Sequence, residues 1–314
     1  MRLLHNPKIE FMSLRKTTFI ISGILILVSL VSLILHGGPR FGIDFRGGSF
    51  IELRFEDSNN PQTLLDIPID KVRQIFVDHG LENSEIKHYG TNQDISVQLD
   101  VETLADSSVV NTVFSGLQSA FPDYNIIERR RESVGPKIGQ ELVTDAILAI
   151  LASMALILVY IMFRFEFRFG VGAVLALFHD IIITLGIFSL LDIEITVPII
   201  AALLTIIGYS LNDTIVVFDR IRENLKMFKR HVAGYTNLVN RSINETLSRT
   251  IVTSGTTLIV VAVLYFFGGE IIKNFAFALI CGVIIGTYSS IFVASPVLVE
   301  WEERKASKVA VKKR

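Results

Sequence analysis

The sequence predicts a polytopic α-helical membrane protein of six spans, with one small α+β domain outside the bilayer. Three observations carry this. Half of the 314 residues are hydrophobic, and they gather into runs of about 18 or more, long enough to cross a hydrocarbon core of roughly 30 Å. The connections between the runs alternate between rich and poor in Lys and Arg. One connection, residues 37–140, has the mixed patterning of an ordinary globular segment.

The first run, Thr17–Leu35 (span 17–36), follows a tail, residues 1–16, that carries Arg2, Lys8, Arg15 and Lys16. It exceeds the roughly 7–15 residues of a signal-peptide core, and His36-Gly37-Gly38-Pro39 offers no small-x-small cleavage pattern. An uncleaved anchor is expected. Five further spans are expected at 142–163, 170–191, 195–218, 251–267 and 275–299. All six read as helices, because a spanning backbone has to satisfy its own hydrogen bonds.

Cations set the orientation. The N-terminal tail is basic, and Arg164 and Arg168 lie after span two. Segment 219–250 holds Arg220, Arg222, Lys226, Lys229, Arg230, Arg241 and Arg249, and the tail 300–314 holds six more. Leu191–Ile195 has no Lys or Arg, and Gly268–Asn274 has only Lys273. The expectation is both termini inside. Residues 37–140 then lie outside, with ten basic and sixteen acidic residues, a net −6.

Within that segment, Ile51, Leu53 and Phe55 alternate as in a half-buried strand over Ser49–Phe55, and Val72, Ile75 and Phe76 space as a helix over Asp70–His79. Glu85–Tyr89 is a weak strand, and Ile95, Val97 and Leu99 mark a clear one. Glu102–Phe121 is helical, with Leu104, Val109, Val113, Phe114 and Leu117 on its apolar side. Tyr124–Glu132 is the last strand. The order βαββαβ is the ferredoxin-like arrangement. It holds no nucleophile–base pair, metal-ligand spacing or phosphate loop; Gly47-Gly48 reads as a turn. Arg129-Arg130-Arg131 reads as solvated strand-end charge, so no nucleic-acid partner is expected. The single Cys281 makes no intrachain disulfide, and without a Cys/His cluster no structural metal is expected, nor is a cofactor; the overall charge of −1 leaves its information in the distribution.

Ionisable groups inside spans are costly and mark pathways or paired sites. Thr205, Gly208, Tyr209, Asn212 and Asp213 fall at i, i+3, i+4, i+7 and i+8, on one face of span four. That face is expected to point into the bundle or towards water. Removing a carboxylate from water disfavours its charged form, which makes Asp213 a candidate proton carrier as well as a candidate packing group. His179-Asp180, near the middle of span three, belongs to the same network or forms a separate satisfied pair. Arg249 opens span five, either reaching towards Asp213 or adding one more inner-side cation. Gly282, Gly286, Ser290 and Ala294 recur every four residues as a close-packing seam. Segment 219–250, with Ile221, Leu225, Phe228, Val232, Leu238, Val239 and Ile243, reads as amphipathic helix lying at the inner membrane surface.

Several of these stretches resemble the SecD/SecF family of protein-export membrane proteins, on its SecF side. They are Phe41-Gly42-Ile43-Asp44-Phe45-Arg46-Gly47-Gly48, the block Ser133–Glu141, the block Ile206–Asn224 around Asp213, and Thr246–Thr250. The resemblance covers essentially the whole chain in the order of the spans. It implies an RND-type half of six helices with a periplasmic ferredoxin-like domain in the bacterial inner membrane. It further implies pairing with SecD, association with the SecYEG channel and YajC, and use of the proton motive force to draw unfolded preprotein outward after the ATP-driven step. The family's span-four carboxylate falls on Asp213 and its span-five arginine on Arg249. A small-molecule or lipid exporter of the same superfamily would share the carboxylate but usually has two fused halves. An intramembrane aspartyl protease using Asp180 and Asp213 is disfavoured by their His-Asp and Asn-Asp contexts. An inert translocon scaffold would not depend on Asp213.

Overall fold

A computed structural model of the chain describes residues 7–60, 66–100, 107–227 and 234–312. Leu104, Phe228, Val232 and the side chain of Val109 lie outside the described residues, as do Arg2, Lys229, Arg230, Lys313 and Arg314. In chain order the elements are α1 (Arg15–Leu35), α2 (Ile43–Arg46), β1 (Gly48–Asp57), α3 (Ile69–Asp78), β2 (Glu85–Tyr89), β3 (Thr91–Leu99), α4 (Ser107–Ala120) and β4 (Tyr124–Val134). There follow α5 (Pro136–Arg164), α6 (Phe167–Leu190), α7 (Val197–Met227), α8 (Tyr235–Phe267), α9 (Glu270–Ser289), a π-helical turn at Ser290–Ala294, and α10 (Ser295–Lys312). Two compact units result: Met1–Arg40 with Leu148–Arg314, and Phe41–Ile147.

Among the described residues, six helical stretches are long and apolar enough to cross a membrane: Phe11–Leu35, Pro136–Arg164, Phe167–Leu190, Val197–Met227, Tyr235–Phe267 and Glu270–Lys305. The chain is therefore a multi-pass membrane protein. The recurrent small residues form a seam inside the chain. A side chain on Gly282 would drive into Ile206, and a Cβ on Gly286 would sit 2.9 Å from Ser210 Cβ, so α9 lies directly on α7. A Cβ on Gly172 would come within 3.2 Å of the Ala294 carbonyl, so α6 meets the π turn equally closely.

Segment 219–250 departs from the expectation of a surface-lying helix. Its described parts continue the spanning helices, α7 running on to Met227 and α8 starting at Tyr235. Ile221, Leu238, Val239, Ile243 and Leu247 are buried with Phe11, Met12, Leu298 and Val299 in one apolar cluster. The amphipathic stripe is real, but it is satisfied by the chain's own helices instead of by lipid. Asn224, fully buried, bonds Ser242 and Glu245 at 2.9 Å and ties the two extensions together. The N-terminal segment straps across them, with Asn244 accepting from Ile9 N–H and Asn240 from Met12 N–H at 2.9 Å each.

The second unit is a four-stranded antiparallel sheet in the order β2-β3-β1-β4. With α3 and α4 this is the ferredoxin-like βαββαβ fold. Period-2 alternation sends Ile51, Leu53 and Phe55 of β1 and Ile95, Val97 and Leu99 of β3 into a core shared with Val72, Phe76, Val113 and Leu117. Each such burial contributes about 1.5–3 kcal/mol. The opposite face carries charge. Arg54 holds Asp94 through two 2.7 Å bonds, and Arg129 approaches Glu52 and Asp94 at 3.7 and 3.8 Å. The Arg129–Arg131 run is thus mid-strand, not strand-end. A register shift opposite Glu52/Leu53 leaves Arg129 as the extra residue, and Arg130 and Arg131 pair with Glu132 and Glu128.

The two glycine-containing blocks meet in this unit. Gly47 and Gly48 have φ of 81° and 125°, a region that side chains disfavour, and a Cβ on Gly48 would lie 2.5 Å from the Leu99 carbonyl. Gly48 pairs with Val134, the Ser49 and Ser133 hydroxyls bond at 2.5 Å, and a Cβ on Gly139 would lie 2.5 Å from the Phe45 carbonyl. Phe41 and Phe45 pack with ring centroids 5.3 Å apart, Gly42 caps α2, and Asp44 lies in its first turn.

Candidate functional site

Helix α7 positions the polar stripe of span four, and the stripe divides. Eight residues at 3.6 per turn carry Asp213 about 80° round from Thr205. Thr205, Gly208 and Asn212 are exposed on the chain's outer surface, Tyr209 is half-buried, and Asp213 is only 2% exposed. Of the face expected to point into the bundle or towards water, the Asp213 edge points into this chain's bundle, and Thr205, Gly208 and Asn212 lie on its outer surface. The Thr205 hydroxyl is used locally, donating to Ala201 O at 2.8 Å. The Tyr209 hydroxyl is buried with no hydrogen-bond partner among the described residues.

Around Asp213, Oδ2 accepts from Ser254 Oγ on α8 at 3.1 Å, and Thr287 Oγ1 on α9, with one proton to donate, lies 3.5 Å from that oxygen and 2.7 Å from both Ser254 Oγ and Val283 O. Arg249, five residues before Ser254, is exposed. It makes no ion pair with Asp213 within 4.0 Å among the described residues. It also lines an open cleft of about 1080 Å³ with Lys8, Arg220, Arg241, Glu245 and Thr253.

A second buried centre lies on α6. His179 Nδ1 meets Asp180 Oδ1 at 2.9 Å, and Asp180 Oδ2 accepts from Ser210 on α7 at 2.5 Å and Ser289 on α9 at 2.8 Å. His179 Nε2 meets Ser22 Oγ on α1 at 3.1 Å; Ser22 in turn meets the Tyr288 hydroxyl, which donates to Thr18 O. No hydrogen bond among the described residues joins this network to the Asp213 cluster. His179 and Asp180 thus have bonded partners on α1, α7 and α9.

The sequence pointed to the carboxylates and missed their donors. Ser254, Thr287, Ser210 and Ser289 are single hydroxyls in apolar spans, a pattern common wherever helices pack closely. The available signal was that three of them, Ser254, Thr287 and Ser289, fall in the last two spans, while Ser210 shares span four with Asp213.

The model of the family described as protein export membrane protein SecD/SecF, C-terminal, matches residues 114–304, and that of the SecD/SecF GG motif matches residues 32–58. A protein of Desulfurispirillum indicum named protein translocase subunit SecF is 47% identical over 300 residues, covering 94% of this chain and 92% of that one. One of the same name from Rhodothermus marinus is 45% identical and covers 98% of each. The crystal structure of SecDF, a translocon-associated membrane protein from Thermus thermophilus, superposes with a TM-score of 0.81 at 37% identity, covering 95% of this chain and 39% of the other. A second SecDF structure, in a super-membrane-facing form, gives a TM-score of 0.70 at 36% identity and covers 98% of this chain and 41% of the other. The chain thus spans about two fifths of the solved SecDF chains it matches.

Proposed function

Because this chain belongs to the SecD/SecF family of protein-export membrane proteins, among its SecF translocase subunits, we propose that it is the SecF half of an ion-driven export device in which Asp213 is the proton carrier. The observation that carries this reading is the position of Asp213. It is a carboxylate buried on the edge of a polar stripe whose remainder, Thr205, Gly208 and Asn212, stands open on the outer surface of α7.

A polar stripe left to lipid is expensive. SecD, fused to the matching half in the solved SecDF chains, is the partner that covers it. In that setting Asp213 takes up a proton from one side and releases it to the other, with Arg249, Asn212, Tyr209 and Thr205 as the further polar groups of its path. Orientation follows the cation distribution: both termini and the α7–α8 extensions inside the bacterial inner membrane, and the ferredoxin-like unit in the periplasm. SecYEG supplies the emerging unfolded preprotein, YajC accompanies the pair, and the periplasmic unit draws the polypeptide outward after the ATP-driven step.

The energy suffices. Each charge crossing yields about 2.3 kcal/mol per 100 mV, enough to bias a domain equilibrium of a few kcal/mol, provided the two positions differ in proton affinity. The test is proton flux into proteoliposomes holding this chain with SecD under an imposed pH gradient. Flux with wild type and none with Asp213→Asn supports the reading; equal flux from both contradicts it.

A further inference from the structure

We infer that Asp180 is a positioning residue for Asp213: it clamps α7 and α9 at the level where those two helices present Asp213 and its donor Thr287. This rests on the reading of Asp213 as the coupling carboxylate.

The clamp is built from buried groups. Asp180 is 0% exposed, and so are Ser210 and Ser289, the two hydroxyls that reach its Oδ2 from α7 and α9. Ser210 lies three residues before Asp213, a little under one helical turn. Ser289 lies two residues after Thr287, which meets both Asp213 and Ser254. At this same level Gly286 lets α9 approach the Ser210 backbone and Cβ, so the two hydroxyls converge on one oxygen. The far side of the clamp is anchored in turn. His179 packs on the Tyr288 ring with centroids 6.0 Å apart, and through Ser22 it reaches α1. Four helices are therefore referred to one carboxylate. Asp213 itself has weaker ties, its contacts being 3.1 and 3.5 Å.

This assigns the two carboxylates different work, and the difference is chemical. A positioning carboxylate is replaceable by its amide. In Asp180→Asn the amide oxygen can still accept from Ser210 and Ser289, and the amide N–H can face His179 Nδ1. His179 then switches tautomer and donates from Nε2 to Ser22, whose hydroxyl proton turns to Tyr288. Tyr288 already donates onward to Thr18 O, so the links on either side of His179 reverse and no member of the chain is lost. A proton carrier has no such escape, because an amide does not titrate in the physiological range.

The experiment uses the full chain co-expressed with SecD in cells depleted of their own SecF. Export of a secreted reporter is measured together with the rate at which dicyclohexylcarbodiimide modifies Asp213, mapped by mass spectrometry. Asp180→Asn is expected to export within about twofold of wild type and to leave Asp213 labelling unchanged. The Ser210→Ala/Ser289→Ala double variant, which removes both grips and leaves the carboxylate, is expected to lose about tenfold in export and to change Asp213 labelling at least about threefold, at normal membrane abundance. Loss of export in Asp180→Asn with the complex assembled would overturn the proposal and make Asp180 a titrating member of the path. Wild-type labelling in the double variant would overturn it as well. Asp213→Asn, run in parallel, keeps the two readings apart: normal export there defeats the coupling role of Asp213, while the labelling rates still judge Asp180.

Discussion

Asn212 and Asp213 are consecutive on α7 and face different surroundings: Asp213 is 2% exposed and bonded to Ser254 and Thr287, whereas Asn212 stands exposed on the outer face of the helix. One residue turns a helix by about 100°. That turn lets α7 keep its carboxylate at an internal seam while offering amide and hydroxyl groups to a neighbour.

Cysteines placed on that outer face report what covers it. Thr205→Cys and Asn212→Cys are expected to react readily with a membrane-permeant maleimide in the chain expressed alone, and to be protected when SecD is co-expressed. Cys281, buried against the bundle, supplies the slow internal reference. Equal labelling with and without SecD would place the partner elsewhere.

The α7–α9 seam leaves no room for a side chain. Gly286→Val puts a Cβ 2.9 Å from Ser210 Cβ, and overpacking of this kind costs about 1–3 kcal/mol. The variant is expected to melt lower in detergent and to accumulate less in the membrane. An unchanged melting temperature would mean that the helices are not in contact at this level.

Asp94 gives the ferredoxin-like unit an acid sensitivity. Burial alone would raise its carboxyl, but hydrogen bonds from Arg54 and Thr91 and the charges of Arg54 and Arg129 outweigh it, so the group lies below the usual carboxylate range. A carboxyl lowered by folding adds stability that is fully present above its unfolded value, near pH 4, and is lost as pH falls through the folded value. Thermal melts of the protein, followed by strand circular dichroism of residues 41–134, are expected to lose stability below about pH 4. Asp94→Asn should be less stable at pH 7 by about 1–3 kcal/mol and nearly indifferent across that acid range. A variant with the wild-type acid profile would assign the sensitivity to another group.

The features that a sequence encodes redundantly were legible. Apolar runs fixed the number of spans, and the alternation of Ile51, Leu53 and Phe55 placed β1 and, with its partners, the βαββαβ order. Features that depend on what lies opposite were not. The stripe of Ile221, Leu238, Val239 and Ile243 announces an amphipathic helix, but only the fold reveals that Phe11 and Leu298 fill the other side. Arg129 reads as strand-end charge until the bulge opposite Glu52/Leu53 places it mid-strand over Asp94. At the site, spacing put Thr205 and Asp213 on one face. Spacing is blind to where a bundle ends, and that boundary falls between Asn212 and Asp213. Ser254 and Thr287 carry no signature of their own.

The central claim is that Asp213 has to titrate. The most direct measurement is export of a secreted reporter in cells depleted of their own SecF and supplied with Asp213→Asn, with membrane abundance and SecD co-purification followed alongside. An assembled complex that fails to export is the predicted result, since the amide preserves shape and removes the proton. Full export by an assembled Asp213→Asn complex would contradict the account and leave the chain a scaffold for its partners.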